Sequence, residues 1–148
     1  MTEMSQADRT LTSAKVRIAA MGDLHMKEQD SPSYKELFSE VSQEADILVL
    51  TGDLTDLGKP REAELLVADL RSCSIPVVGV LGNHDYECGH VEEVRAIIKS
   101  SGMHLLEGQA VDLNGVGFAG VKGFAGGWSV HAKLFRRARN QSHGGRKR

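Results

Sequence analysis

The chain has few cysteines and no long apolar run. Only two cysteines occur, Cys73 and Cys88. Their separation excludes a C-x-x-C metal or redox motif and reads as two reduced thiols. No segment approaches the ~18 apolar residues of a membrane-spanning helix. The opening MTEMSQADRT is polar and mixed in charge, unlike a signal peptide. A cytoplasmic location is the expectation. The formal net charge is only −2, so bulk charge argues for no strongly charged partner.

The distribution of charge says more. Residues 131–148 hold seven of the 18 Lys and Arg and none of the 20 Asp and Glu, leaving 11 bases against 20 acids in residues 1–130. An acidic body thus carries a basic tail. The 148 residues suit one domain, and 41% of them are apolar, enough for a core. Residues 1–14 read as a leader, 15–128 as the folded domain and 129–148 as a basic tail expected to be disordered.

Short apolar runs at 16–21 (VRIAAM), 46–50 (DILVL) and 76–81 (PVVGVL) read as buried parallel strands. Each is followed by a polar loop and then a helical pattern. In the first helix Tyr34, Leu37, Phe38 and Val41 form a stripe, with Ser33 and Glu36 at capping-box spacing. In the second, Pro60 suits the first turn and Ala63, Leu66, Val67 and Leu70 form the stripe. In the third the stripe is Val91, Val94, Ile97 and Ile98, and Gly102 is the stop. The order βαβαβα predicts an α/β fold with a parallel sheet and helices covering its faces. Residues 104–106 and 110–113 are short strand candidates. Asn114-Gly115 signals a hairpin with 116–121 as its return strand.

Chemistry collects in the three loops. They carry Asp23-Leu24-His25, then Gly52-Asp53-Leu54-Thr55-Asp56, then Gly82-Asn83-His84-Asp85. Asp23, Asp53 and Asn83 are spaced by thirty residues, about the length of one strand–helix unit. The loops therefore recur at the C-terminal edge of the sheet, where open α/β sheets bind ligands. Taken singly each residue is commonplace: Asp23 or Asp53 suits a helix cap, His25 a surface, His84-Asp85 a turn. Three such motifs in order, each after a strand, point to a metal site. Carboxylate, imidazole and amide oxygen suit Mn²⁺, Fe or Zn²⁺. Asp23 and His25, two residues apart, face the same side and can reach one ion. Asp53 has two oxygens and is the best bridge. Asn83 offers a neutral oxygen to a second ion. His84 can contact a phosphate oxygen or protonate a leaving group. Gly52 and Gly82 permit close backbone approach.

On these residues the chain resembles the calcineurin-like metallophosphoesterase family, marked by D-x-H, G-D-x-x-D and G-N-H-D/E. The resemblance spans about residues 16–121. It implies the N-terminal part of a four-layer αββα sandwich and a hydrolase acting on phosphoester bonds, as a phosphatase or phosphodiesterase. By resemblance Asp23 and His25 bind the first metal, Asp53 bridges both, and Asn83 binds the second. His84 acts at the leaving group, with Asp85 orienting its ring. Asp56 matches a motif position without a ligand role. The family chemistry is two-metal activation of a bridging hydroxide for in-line attack on phosphorus.

The family pattern continues with a lone His and a G-H-x-H, and this chain has no G-H-x-H. Of the other histidines, His90 and His104 fall too early, and His131 and His143 lie in the basic tail. The expectations are an incomplete second metal site and an incomplete second sheet. They carry with them a truncated or frameshifted reading of a longer enzyme, whose activity is in doubt. An inactive fragment with weak metal binding is the alternative. Self-association through an uncovered sheet face follows from the same reading. The phosphoester substrate has no identity at this stage. Nucleic-acid binding through the tail is a further alternative, disfavoured because Phe135 is its sole aromatic. Gly115–Gly120 spell GxGxxG, but in a hairpin strand rather than between strand and helix, so no nucleotide cofactor is implied.

Overall fold

The computed structural model describes residues 15–30 and 32–121, together with the backbone of 133–135. The expected leader and nearly all of the basic tail lie outside the described residues, as do His131 and His143.

Four parallel strands form the main sheet in the order β1 (Ile18–Met21), β2 (Ile47–Leu50), β3 (Val77–Gly79) and β4 (His104–Leu105). The register aligns Met21 with Leu50 and Leu50 with Gly79. The three polar loops therefore leave one edge side by side, as their spacing predicts.

Three helices link the strands: α1 (Lys35–Glu44), α2 (Pro60–Leu70) and α3 (Val91–Ser100). Their stripes converge on a single face. Phe38, Ala63, Leu66, Val94 and Ile98 pack with Leu48 and Leu50 in one buried cluster. The alternate residues Ile47 and Val49 point the other way, into a second cluster with Val78, Val80, Leu106 and Phe118. The helix cover read from the βαβαβα order thus holds for one face, and the sheet-on-sheet packing that the resemblance implies holds for the other. A three-stranded antiparallel sheet covers the second face, built from β5 (Ala110–Leu113), β6 (Val116–Ala119) and β7 (Lys133–Phe135). Among the described residues the layers run helix, sheet, sheet. Burying a side chain such as Ile47 or Leu50, both fully enclosed, contributes about 1.5–3 kcal/mol.

The β5–β6 hairpin turns at Asn114 (φ 54°) and Gly115 (φ 78°), the paired positive angles of a type I′ turn. The GxGxxG glycines begin at that turn, with Gly117 in β6, as the strand reading requires.

Helix starts differ in detail. Pro60 opens α2, and Glu62 accepts from the amides of Lys59 (3.1 Å) and Leu57 (2.9 Å). The Ser33–Glu36 capping box does not form. The buried Asp69 of α2 takes its place, accepting from the Tyr34 amide at 2.8 Å and the Ser33 hydroxyl at 3.4 Å. Gly102 (φ 84°) ends α3 with its amide donating to the Lys99 carbonyl at 3.1 Å.

Candidate metal centre

The first two loops are zipped together past the ends of β1 and β2. The amides of Asp23, His25 and Met26 donate to the carbonyls of Gly52 (3.1 Å), Asp53 (3.0 Å) and Leu54 (3.1 Å). This ladder is bought with unusual backbone angles: Asp23, His25 and Asp53 have φ of 53°, 44° and 49°. Positive φ is uncommon for residues other than glycine and clusters at functional sites. Three of the four expected metal ligands adopt it.

The third loop locks onto the second. A Cβ on Gly82 would strike Asp53 Oδ1 and the Asp53 amide, and one on Gly52 would press on the Gly82 Cα at 3.0 Å. Two glycines are therefore needed for the loops to touch. The His84 amide donates to Asp53 Oδ1 at 3.0 Å. One carboxylate oxygen is thus anchored by the third loop.

Asp85 completes the lock. It is fully buried. Its Oδ1 accepts from the Thr55 amide (2.8 Å) and hydroxyl (2.6 Å), and its Oδ2 from the Gly82 amide (2.8 Å) and Leu54 amide (3.3 Å). Burial pushes this carboxyl up from the ordinary range, against the four hydrogen bonds that favour its charged form.

Asp56 orients His84 through its carbonyl and lies close to His25 through its carboxylate. The His84 Nδ1 lies 2.7 Å from the Asp56 carbonyl, so Nδ1 carries the proton there and Nε2 is left free. The His25 Nδ1 lies 3.4 Å from Asp56 Oδ1, and its Nε2 is 3.9 Å from Asp23 Oδ1. The two rings meet edge to face at 4.4 Å. The Asp56 carbonyl holds the His84 pKa above its usual value, opposed by burial and aided by the charges of Asp53, Glu87 and Asp56. The sequence reading gave the ring-orienting role to Asp85. The structure gives it to Asp56, because both Asp85 oxygens are spent on loop backbone and Thr55.

One candidate ligand atom from each of His25, Asp53 and His84 falls within 4.8 Å of the others. Two imidazoles and a carboxylate fit a borderline divalent cation. Asp23 stands beside this group with its side chain 81% exposed. Asn83 precedes a 3-10 turn (His84–Tyr86), half-buried, its carbonyl accepting from the Tyr86 amide at 3.1 Å. His90 caps α3 and faces Glu93 at 3.6 Å, and His104 opens β4. Neither belongs to the described cluster. Asp56 and Thr55 were visible only as motif neighbours, and nothing local in the sequence marks their partners.

Three candidate metal ligands gathered at the rim of an α/β sheet are what the geometry offers. The family model for calcineurin-like phosphoesterases matches residues 16–144, and the chain belongs to that family. No curated protein matches it. Among the described residues no helix is long and apolar enough to cross a membrane.

Proposed function

We propose that the chain is a metal-dependent phosphoester hydrolase using two divalent ions, Mn²⁺, Fe or Zn²⁺. Asp23 and His25 would hold the first ion, Asn83 the second and Asp53 both, with His84 kept for the phosphoester. The observation that carries this reading is the convergence of His25, Asp53 and His84 within 4.8 Å at the rim. When bound, such ions supply Lewis acidity toward the phosphoryl group.

The chain's own residues do the rest. Asp56 fixes the tautomer of His84, so that Nε2 is presented to the phosphoester. There the doubly protonated ring donates its Nε2–H to a phosphate oxygen or hands that proton to the departing alkoxide, and is left as the neutral Nδ1–H form. Asp85 and the two glycines hold the second and third loops in mutual contact, which keeps Asp53 and His84 in place. Hydrolysis of bis(4-nitrophenyl) phosphate with added Mn²⁺ tests the proposal, comparing wild type with Asp53→Asn. A metal-dependent rate lost in Asp53→Asn is expected. Equal rates in the two proteins, or a wild type no faster than buffer with Mn²⁺, would remove the catalytic reading and leave an inactive metal-binding chain.

A further inference from the structure

The peptide between Leu24 and His25 sits at the centre of the first loop, flanked by the left-handed residues Asp23 and His25. Its N–H donates to the Asp53 carbonyl at 3.0 Å. Its carbonyl accepts from the Tyr34 hydroxyl at 2.7 Å. Both polar ends of one peptide plane are therefore held, one by the second loop and one by a side chain at the start of α1. Tyr34 is itself fixed. Its ring lies 6.0 Å from Phe38, which is fully buried. Its amide donates to the buried Asp69 of α2 at 2.8 Å. A continuous path runs from Asp69 through Tyr34 to the turn that carries His25.

From this path we infer that Tyr34 is a positioning residue for the metal centre. Its hydroxyl holds the Leu24–His25 peptide in the orientation that points the His25 ring at Asp53 and His84. The role rests on the metal-site reading proposed above. Leu24 itself is buried, so the Tyr34 hydroxyl meets its carbonyl away from bulk solvent. Without the hydroxyl, the peptide is held only through its N–H, and His25 can relax from φ 44° toward ordinary angles. A turn tied at one end only then presents His25 to the ion for a smaller fraction of the time, and affinity falls by that fraction.

Tyr34→Phe removes the hydroxyl and keeps the ring. Ser42→Ala is the control. Its hydroxyl makes an equally short bond within the same helix, to the Phe38 carbonyl at 2.7 Å, and also accepts from the Ser74 amide at 3.0 Å. It has no contact with the first loop. Two quantities are measured in the full chain: Mn²⁺ affinity by titration, and exchange of the His25 amide in metal-free protein by NMR. Tyr34→Phe is expected to weaken Mn²⁺ binding about fivefold, equivalent to about 1 kcal/mol, and to speed His25 exchange by a similar factor. Ser42→Ala should lower thermal stability and change neither. Wild-type exchange at His25 in Tyr34→Phe overturns the inference, as does faster exchange with unchanged Mn²⁺ affinity, or an equal effect of Ser42→Ala on both. A wild type that binds no Mn²⁺ defeats the metal-site reading instead, while the exchange comparison still decides whether Tyr34 holds the turn.

Discussion

Asp85→Ala should cost this protein a large part of its stability, and the reason is a count of stranded donors. The carboxylate is fully buried and accepts from three backbone amides and one hydroxyl. The Thr55 hydroxyl can turn to another acceptor. The amides of Leu54, Thr55 and Gly82 cannot. Each buried donor left without a partner costs about 1–3 kcal/mol. Partial relaxation and water entry reduce the sum, and about 4 kcal/mol is the expected loss, at the upper end of single-substitution effects. Against a typical domain stability of about 5–15 kcal/mol this is severe. At about 3 °C per kcal/mol for a chain of this size, Tm should fall by roughly 12 °C. Asp85→Asn should be only slightly milder, since its amide group points a donor at donors. The assay is urea unfolding followed by circular dichroism, read as a shift in midpoint at constant slope. Metal affinity should fall with stability, because the same carboxylate holds the loops of Asp53 and His84 together. The shape of any pH–rate profile should be unchanged, because Asp85 does not touch the His84 ring. An Asp85→Asn protein as stable as wild type would refute the reasoning.

Other substitutions test other parts of the frame. Gly82→Ala places a methyl against Asp53 Oδ1 and its amide; a loss of about 1–3 kcal/mol and weaker Mn²⁺ binding are expected, measured by thermal unfolding and titration. At the opposite end of the sheet Asp46 accepts from the Arg17 amide at 2.8 Å and its guanidinium at 3.2 Å, which holds the carboxyl below its usual value of 3.8. A depressed folded pKa means the contribution is present above about pH 4 and lost as pH falls further; Asp46→Asn should therefore lower stability at pH 7 and flatten its decline in acid, followed by Tm against pH. Ile47→Ala empties a fully buried position between the two sheets and should cost about 2–5 kcal/mol, measured by urea unfolding, with little change in Mn²⁺ affinity.

The fold was legible where physics is local. Thirty-residue spacing from Asp23 to Asp53 to Asn83 fixed the common rim, and Asn114-Gly115 fixed the hairpin. The layering was less so. Ile47, Leu48, Val49 and Leu50 are all apolar because both faces are buried, and such a run does not say whether helix or sheet covers each face. The site was legible as residue types and hidden as contacts. Asp85 meets Leu54 and Thr55, and His84 meets Asp56, across about thirty positions. Side chain to backbone bonds at such separations leave no periodicity to read. The same blindness favoured a capping box at Ser33 and Glu36 over Asp69, which lies a helix away in the chain.

Anomalous scattering from crystals soaked in Mn²⁺ bears most directly on the metal centre. A peak bonded to His25 and Asp53, within reach of Asp23 and His84, is the result this structure predicts. A peak elsewhere on the surface, with the rim of the three loops empty at saturating Mn²⁺, would contradict it.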